Sequence, residues 1–307
     1  MAAVVSIVVV TWNSAPFLPR CFDGIANQTH RETELIVVDN ASSDDSLANI
    51  PANATIIRNE TNAGFARAAN QGIAAARGDF VLLVNPDAYL TPTYIERLLR
   101  ANPDGAATGR LLRGVGTAIE PTNVIDSMGI RMTRTGRHFD IDREVSGEVF
   151  GVSGAVALYS MAFIRDVSID GEFFDEDFFA YREDADVAWR SRLFGWRAIA
   201  VPDAIAYHVR TVTPSRRREL SAVINMHSVK NRFLLRLKNE GLYLALRNAP
   251  FELFRDLVTI VAALTIERSS LPAFRWLWAN RARVLAKRRA IQRRRKVSDR
   301  ELARWFR

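Results

Sequence analysis

Two separated groups of acidic residues carry the clearest chemical signal in this sequence of 307 residues. Asp87 follows Asn85 and Pro86 directly after the apolar run of residues 80–84, so its carboxylate is expected where a buried strand ends. Parallel α/β sheets bind their ligands at that edge. The second group, residues 183–186, stands just before a basic and aromatic helix. One group holding a metal ion and the other accepting a proton would suit metal-assisted transfer of a group from a nucleotide.

Asp87 is the predicted metal ligand. Mg²⁺ typically takes one or two protein carboxylates and keeps substrate oxygens and water, and Pro86 fixes φ beside the acid and removes a competing amide donor. Because this group contains only one acid, a second protein ligand is expected. His208 ends a short predicted strand and is favoured over the other three histidines, although a structural histidine is the alternative. The predicted cofactor is therefore a divalent ion, Mg²⁺ or Mn²⁺.

The second acidic group is the predicted source of a general base. Asp184 and Asp186 point in different directions on a helix, so at most one of them faces an acceptor. The helix dipole also favours acids at this position, which is the structural alternative. Residues 173–181, rich in phenylalanine, are interpreted equally well as an aromatic wall for a sugar or as core.

Polar side chains follow the first two predicted strands. Thr11, Trp12 and Asn13 come after the first strand, where they could hold a flat base, although a helix-capping turn explains them as well. Asp39 and Asn40 repeat the pattern after the second strand. A carboxylate there could accept the imide hydrogen of uracil or thymine, or it could cap the helix that follows.

Residues 62–72 predict a tight turn that leads into a helix. Asn62 and Gly64 permit positive φ, and the amides that begin the helix would then favour a bound phosphate. Phe65 and Asn70 lie in the same stretch, and together with Asn85 they complete the predicted nucleotide-binding residues. The alternative is a helix that packs on the sheet through its alanines.

Strands and helices alternate through the first hundred residues. Continuous apolar strands separated by helices predict an α/β fold with a mainly parallel sheet flanked by helices. From residue 219 onward the pattern is almost entirely helical, after a basic loop over residues 210–218. We therefore predict a catalytic domain over residues 1–215 and a helical, basic appendage over residues 216–307. The predicted strands are residues 4–10, 35–38, 55–57 and 80–84, and the predicted helices between them are residues 16–27, 42–49 and 64–77.

Composition indicates the compartment. The single cysteine, Cys21, allows no internal disulfide and fits a reducing environment. The chain runs straight into a strand-like segment without the basic region or cleavage site of a secretory signal, so a cytoplasmic location is expected. The longest uncharged apolar run, residues 257–266, is shorter than the roughly 20 residues that span a bilayer.

Positive charge is concentrated at the C-terminal end. Residues 281–307 hold twelve Lys and Arg against two acids, a net charge of +10, which leaves −2 for the rest of a chain whose total is +8. Phe274, Trp276, Leu277 and Trp278 precede this stretch, which predicts peripheral binding to an anionic membrane surface on its cytoplasmic face. A solvated tail or contact with a second copy is the alternative. No nucleic-acid module accompanies the charge, so nucleic acid is not an expected partner.

Taken in order, the motifs resemble those of a known family. They are Val-Val-Val-Thr-Trp-Asn at residues 8–13, Val-Val-Asp-Asn-Ala-Ser at 37–42, Asn-Ala-Gly-Phe at 62–65, Asn-Pro-Asp at 85–87, Gly-Val-Ser-Gly-Ala at 151–155 and Glu-Asp-Ala-Asp at 183–186. This order resembles the inverting family 2 glycosyltransferases of the GT-A fold, and is most similar to bacterial rhamnosyltransferases that act on lipid-linked cell-wall or O-antigen precursors. The resemblance covers roughly residues 4–210 and not the C-terminal helices.

The resemblance implies roles for individual residues. Asp39 would bind a pyrimidine base, and Asp87 would be the last acid of the Asp-x-Asp metal motif, whose first acid is replaced here by Asn85. Asp184 would be the catalytic base, and His208 would match a metal-binding histidine of some members. The acceptor-side residues would be Gly154, Glu183, Asp186 and Trp189.

The implied reaction moves a sugar, with inversion, to a hydroxyl of a lipid-linked or cell-envelope glycan such as a polyprenyl-diphosphate-linked one. The favoured donor is dTDP-rhamnose, followed by UDP-hexoses. A nucleotidyltransferase would also use an α/β sheet and a metal, but it would need a Gly-rich basic loop after the first strand, where this chain has no Gly or Lys in residues 11–14. A non-catalytic carbohydrate- or membrane-binding module is the third interpretation, which the acidic groups disfavour mildly.

Overall fold

The computed structural model describes residues 3–101, 103–210 and 222–307. Its first half forms four parallel strands in the order β4-β1-β2-β3, connected by helices. All seven residues of β1 are buried, because its apolar side chains are covered on both faces of the sheet. These elements are β1 (Val5–Thr11), α1 (Leu18–Ala26), β2 (Thr33–Asp39), β3 (Thr55–Arg58), α2 (Phe65–Ala75) and β4 (Phe80–Val84).

The second half of the sheet is mixed. The antiparallel strand β11 (Val156–Ser160) pairs with both β4 and β6 (Ala106–Val115), and β12 (Ala198–His208) runs parallel to β6. The predicted α/β class is confirmed, as a ten-stranded mixed sheet flanked by helices. The remaining elements of this part are β5 (Ala88–Leu90), α3 (Tyr94–Arg100), β7 (Glu120–Ser127), β8 (Ile130–Met132), β9 (His138–Asp140), β10 (Gly147–Val149), α4 (Met161–Val167) and α5 (Glu183–Leu193).

Local departures from the sequence prediction have physical causes. The short strand predicted to end at His208 is the last part of a longer strand, β12, whose register shifts between Val201 and Ile205. Pro202 lies inside that shift, and it lacks the amide hydrogen that regular pairing needs. The helix expected over residues 42–49 is shorter, a 3-10 helix over Asp45–Asn49 that is capped by the side chain of Asp44.

Helices α6 (Ala222–Asn239), α7 (Leu242–Thr265), α8 (Pro272–Ala279), α9 (Arg281–Arg293) and α10 (Asp299–Leu302) form the C-terminal region. Leu234, Ile291 and Phe306 from this region belong to the same apolar core as Phe150 and Trp189. The boundary predicted near residue 215, and nearly all of the basic loop, lie outside the described residues. In the described parts of the chain, no helix has the length and apolar character needed to cross a membrane.

Candidate active site

The carboxyl ends of β1, β2 and β4 open into a cavity of about 620 Å³, here called the strand-end cavity. Trp12 and Asn13 follow β1, Asn40 follows β2, and Asn85 and Asp87 follow β4, so all five line this space. Parallel strands place these positions at one edge of the sheet. Asn62, Gly64 and Phe65 also line it, as do Phe179, Ala180, Tyr181 and three residues of α6, Val223, Ile224 and His227.

A second cavity of about 620 Å³, here called the acidic cavity, adjoins the first. Asp87, Gly154, Glu183, Asp184 and His208 line it, and six residues border both spaces. Asp87 and Asp184, almost a hundred positions apart in sequence, therefore face one hollow. The residues that border both cavities are Phe65, Asn85, Asp87, Ala180, Tyr181 and Ile224.

The turn predicted before α2 is present. Gly64 has φ of +85°, and a Cβ at this position would lie 2.5 Å from the ring of Phe179, so glycine is required. The amides of Ala63 and Gly64 donate to side-chain oxygens of Asn40 and Asn62, and the amide of Ala66 donates to the carbonyl of Phe179. These three amides serve the fold and cannot also hold a phosphate, so the predicted anion site would depend on other amides of the first turn of α2.

Three residues predicted to bind the nucleotide do not line either cavity. Thr11 is fully buried, and the nearly buried carboxylate of Asp39 accepts the amide of Ser42. Asn70 exchanges hydrogen bonds of 2.8 and 2.9 Å with the backbone of Phe174. The side chains of Asp39 and Asn70 therefore support neighbouring backbone, although Asp39 does not cap the helix that follows, which Asp44 caps. The buried hydroxyl of Thr11 has no hydrogen-bond partner among the described residues.

Two residues predicted on the acceptor side lie in the interior instead. The fully buried Asp186 pairs with Arg190 at 2.8 Å and with Lys238 at 3.0 Å. Trp189 is also fully buried, and its ring centroid lies 4.8 Å from that of Phe306. Both side chains leave α5 on the face that packs against the C-terminal helices, away from Asp184.

Glu183 and Asp184 lie next to each other in different electrostatic environments. One carboxylate oxygen of Asp184 accepts the amide of Gly154 at 3.1 Å, and the other accepts the amide of Ala185 at 2.7 Å. Burial outweighs these bonds and raises the pKa of Asp184 to about 6. Burial and the nearby charge of Asp184 raise the pKa of Glu183 to about 8. Of the two acids, Asp184 with its two amide donors is therefore the one that more readily carries a negative charge and can take a proton.

The segment before these acids has strained backbone. Phe179, Tyr181 and Arg182 have φ of +66°, +69° and +73°, values that side-chain-bearing residues rarely adopt. The buried side-chain amide of Asn231 in α6 donates to the carbonyls of Phe178, Ala180 and Tyr181 at 2.7 to 2.9 Å. One side chain from α6 therefore holds the loop that leads into Asp184.

Asp87 and His208 face each other across the acidic cavity. His208 Nε2 lies 3.5 Å from Asp87 Oδ1, and Nδ1 lies 2.9 Å from Asp126 Oδ2. Burial alone would lower the pKa of His208, but the bonds to Asp126 and Asp87 raise it to about 9. Carboxylate support on the second ring nitrogen is typical of metal-binding histidines. No group of three or more His, Cys, Asp or Glu in the described residues could enclose an ion by itself. The pair fits an ion that takes its other ligands from substrate and water. Because the raised pKa leaves His208 protonated at neutral pH, binding of the ion would have to displace the proton on Nε2.

Several residues in or next to the two cavities were not predicted from sequence. His227 stacks on Phe179 with ring centroids 4.6 Å apart, and Asp126 supports His208 from β7. Ile224 from α6 borders both cavities. The two contacts join residues 48 and 82 positions apart. Local sequence patterns do not predict pairings over such distances.

Residues 6–168, just over half of the chain, match the model of Glycosyl transferase family 2. The chain is 26% identical over 256 residues to the putative glycosyltransferase EpsH of Bacillus subtilis, a match that covers 80% of this chain and 68% of that protein. It is also 26% identical over 248 residues to an N-acetylglucosaminyl-diphospho-decaprenol L-rhamnosyltransferase of Mycobacterium tuberculosis, which covers 70% of this chain and 79% of that one.

A solved structure has the same fold. The mannosyltransferase PcManGT of Pyrobaculum calidifontis, solved in complex with GDP-Man and Mn²⁺, superposes with a TM-score of 0.55 at 19% identity, over 96% of this chain and 84% of that one. The family match stops before Glu183, Asp184 and His208, but it includes the strand ends that form the strand-end cavity. Strand ends, adjoining cavities and family match agree: the chain belongs to glycosyl transferase family 2.

Proposed function

We propose that this enzyme transfers a sugar from a nucleotide diphosphate donor to an acceptor hydroxyl with inversion at the anomeric carbon. The observation that carries the proposal is that Asp87 and Asp184 line the same cavity, which adjoins the strand-end cavity. A donor in the strand-end cavity would extend its diphosphate past Asp87. Its sugar would then lie in the acidic cavity, close to Asp184.

Asp184 is proposed as the general base. Its carboxylate is fixed by the amides of Gly154 and Ala185, and a pKa of about 6 leaves it ionised but still basic at neutral pH. It would take the proton of the acceptor hydroxyl as that oxygen attacks the anomeric carbon. The glycosidic bond to the donor phosphate breaks on the opposite face, which inverts the configuration.

Asp87 and His208 are proposed to hold a divalent ion, Mg²⁺ or Mn²⁺. The 3.5 Å between Asp87 Oδ1 and His208 Nε2, together with the support of His208 by Asp126, favours this assignment. The presence of Mn²⁺ in the complex of PcManGT is consistent with it. When bound, the ion would neutralise charge on the departing nucleoside diphosphate. Asn85, where the family motif has an acid, leaves Asp87 as the single carboxylate of that motif.

The favoured donor is dTDP-rhamnose and the favoured acceptor is a polyprenyl-diphosphate-linked or other cell-envelope glycan. Support comes from the rhamnosyltransferase of Mycobacterium tuberculosis, which is 26% identical over 70% of this chain. A UDP-hexose is the alternative donor. A lipid-linked acceptor is presented at a membrane surface, so the enzyme is proposed to act as a peripheral protein on the cytoplasmic face.

A thermal-shift panel followed by product analysis tests this function. The panel contains dTDP-rhamnose, UDP-glucose, UDP-N-acetylglucosamine and GDP-mannose, each with Mg²⁺, with Mn²⁺ and with a chelator. We expect dTDP-rhamnose with metal to raise the melting temperature most, because a ligand that binds only the native state stabilises it. NMR of the product should show the inverted anomer. A panel in which no sugar nucleotide shifts the melting temperature, or a product of retained configuration, would contradict the proposal.

A further inference from the structure

Helix α7 is amphipathic, but its polar side faces the protein and its apolar side faces outward, the reverse of an ordinary surface helix. Its buried side includes the polar residues Asn248 and Glu252, with Asp256 and Thr259 half-buried on the same side. Its outer side is apolar, and Phe254 and Leu253 are 69% and 67% exposed. Spacings of one, three and four residues put the outer side chains on one face. The exposed apolar residues of α7 are Leu242, Tyr243, Leu246, Phe251, Leu253, Phe254, Leu257, Val258, Ile260, Val261 and Leu264.

Ionic contacts with α6 fix this orientation. Arg236 pairs with Glu252 at 3.0 Å and with Asp256, and Arg232 donates to the hydroxyl of Thr259 at 2.7 Å. A rotation of α7 that buried its apolar face would leave the buried arginines of α6 without their partners. Unpaired buried charge is strongly unfavourable, so the apolar face is held outward by the fold itself.

An apolar face of this size on the outside of a protein marks a contact surface. With 24 residues, α7 is about 36 Å long at 1.5 Å per residue. The exposed charge of the C-terminal helices is mostly positive. Of the five acids in residues 241–307, only Glu301 is exposed, whereas ten cations of the same stretch are. Arg268 lies in a short helix that contacts α7, and Arg300 lies beside Tyr243 at its start. The exposed cations are Arg268, Arg275, Arg281, Arg283, Arg289, Arg293, Lys296, Arg300, Arg304 and Arg307.

That charge distribution selects between two occupants of the face. A second copy that docked through the same face would bring the same arginines toward each other, and Glu301 is the one exposed side-chain carboxylate that residues 241–307 offer to ten exposed cations. An anionic membrane has an apolar acyl layer directly beneath negatively charged head groups, which matches an apolar helix face accompanied by arginines. Tyr243 beside Arg300 near the start of α7, and the 71% exposed Trp278 beside Arg281, are side-chain types suited to the boundary between lipid and water.

We propose that α7 lies in the plane of an anionic membrane, with its outer face inserted among the acyl chains and the exposed arginines on the head groups. This assignment rests on the proposed action at a membrane surface and names the surface that makes the contact. It also revises the segment predicted from sequence. Phe274, Trp276 and Leu277 are half-buried, and Phe274 packs on Phe233 of α6, which leaves Trp278 as the exposed member of that group.

Vesicle co-sedimentation tests the proposal without any need for sugar transfer. Wild-type protein should bind vesicles of phosphatidylcholine mixed with phosphatidylglycerol and bind weakly to phosphatidylcholine alone. The triple variant Leu253→Ser, Phe254→Ser and Leu257→Ser should lose at least about a hundredfold in apparent affinity, since three large side chains no longer enter the apolar layer. The matched control is Val115→Ser with Val124→Ser, two valines exposed on the hairpin of β6 and β7, and it should bind as wild type does.

A labelled variant covers the case in which the triple variant fails to fold. Leu257→Cys can carry a polarity-sensitive fluorophore selectively, because the native thiol of Cys21 is buried. Its emission should shift to shorter wavelength with the anionic vesicles, whereas the same label at Val115→Cys should not respond. Wild-type protein that ignores anionic vesicles, or a triple variant that still binds them, would overturn the proposal. So would a wild-type dimer in ultracentrifugation that becomes monomeric in the triple variant and never binds lipid.

The two proposals fail separately. If wild-type protein did not bind anionic vesicles but the donor still caused a metal-dependent thermal shift, the proposed membrane contact of α7 would be wrong and the proposed reaction would be unaffected. If the protein bound vesicles but no sugar nucleotide shifted its melting temperature, the membrane contact would be supported and the proposed reaction would be wrong.

Discussion

Two adjacent acids with different proton affinities are the central feature of the site at the scale of residues. Glu183 is buried and its pKa is about 8, whereas Asp184 lies on the cavity wall with amide donors and has a pKa of about 6. Environments that separate the pKa values of neighbouring groups are a common way to divide proton acceptor and proton donor roles. The roles proposed for the two acids follow from that difference.

The pH dependence of kcat/KM should report Asp184. The base must be unprotonated, and the pKa of Asp184 is raised to about 6. On the acid limb of the profile, kcat/KM should therefore fall about tenfold per pH unit below pH 6 and level off above it. Steady-state rates at saturating metal provide the measurement. A rate that stays constant well below pH 5 would exclude Asp184 as the base.

Replacement of the base should stabilise the fold at neutral pH. Because the folded pKa of Asp184 lies above its usual value near 3.8, its contribution to stability is fully present below pH 3.8 and is lost as pH rises through about 6. Asp184→Asn removes a half-buried carboxylate whose raised pKa makes its charge unfavourable in the fold, and its melting temperature at pH 7.5 should equal or exceed that of wild type. The matched control Asp203→Asn, at an exposed aspartate, should change neither stability nor turnover. A marked drop in the melting temperature of Asp184→Asn would contradict the assigned burial.

At the scale of elements, sequence patterns were informative where local rules operate. Apolar runs predicted β1 to β4, and Asn62 and Gly64 predicted the turn before α2, where Gly64 has positive φ. Patterns were not sufficient to say what a side chain contacts: Asp39, Asn70 and Trp189 lie in predicted elements but line neither cavity. The contribution of α6 to the site was missed for a different reason, because its contacts with the loop of residues 178–182 join parts of the chain about 50 positions apart.

Asn231 should act as a positioning residue through that loop. Asn231→Leu keeps the size of the side chain but leaves three carbonyls without their donor, which costs about 1–3 kcal/mol of stability. We expect kcat to fall more than tenfold while the KM for donor changes little, because the strained backbone before Asp184 relaxes. Steady-state kinetics with the preferred donor provide the measurement.

Gln28→Met is the matched control for this effect. Gln28 is buried away from both cavities. Its side-chain amide donates to the carbonyls of Gly24 and Thr91 and accepts the amide of Ile95. The variant should lose stability without the change in kcat. Equal kinetic effects in the two variants would show that Asn231 acts through stability alone.

At the scale of the molecule, the C-terminal helices belong to the structure that holds the site. Lys238 of α6 and Lys287 of α9 pair with Asp175, and Lys238 also pairs with Asp186 of α5 at 3.0 Å. The sequence predicted a basic appendage beyond residue 215, but its total charge did not show which cations would be buried. Several of them are counterions of the acids around α5, the helix that carries Asp184.

Lys238→Met should therefore destabilise the whole protein. It leaves Asp175 and Asp186 with less compensation in a buried environment, which costs about 3–5 kcal/mol when one partner of a buried pair is removed. Urea unfolding followed by circular dichroism provides the measurement. The control Arg100→Met removes an exposed pair with Glu96 and should cost less than about 1 kcal/mol. Similar losses in both variants would argue against a buried ionic network.

The most direct test of the shared cavity compares Asp87→Asn with Asp184→Asn in donor binding and in turnover. Asp87→Asn should lose the metal-dependent thermal shift caused by the donor. Asp184→Asn should keep that shift and lose about 10² to 10⁴ in kcat, the range typical of general base catalysis. If Asp184→Asn turned over normally, or if Asp87→Asn bound donor and metal as wild type does, the account of one site formed by these two acids would be wrong.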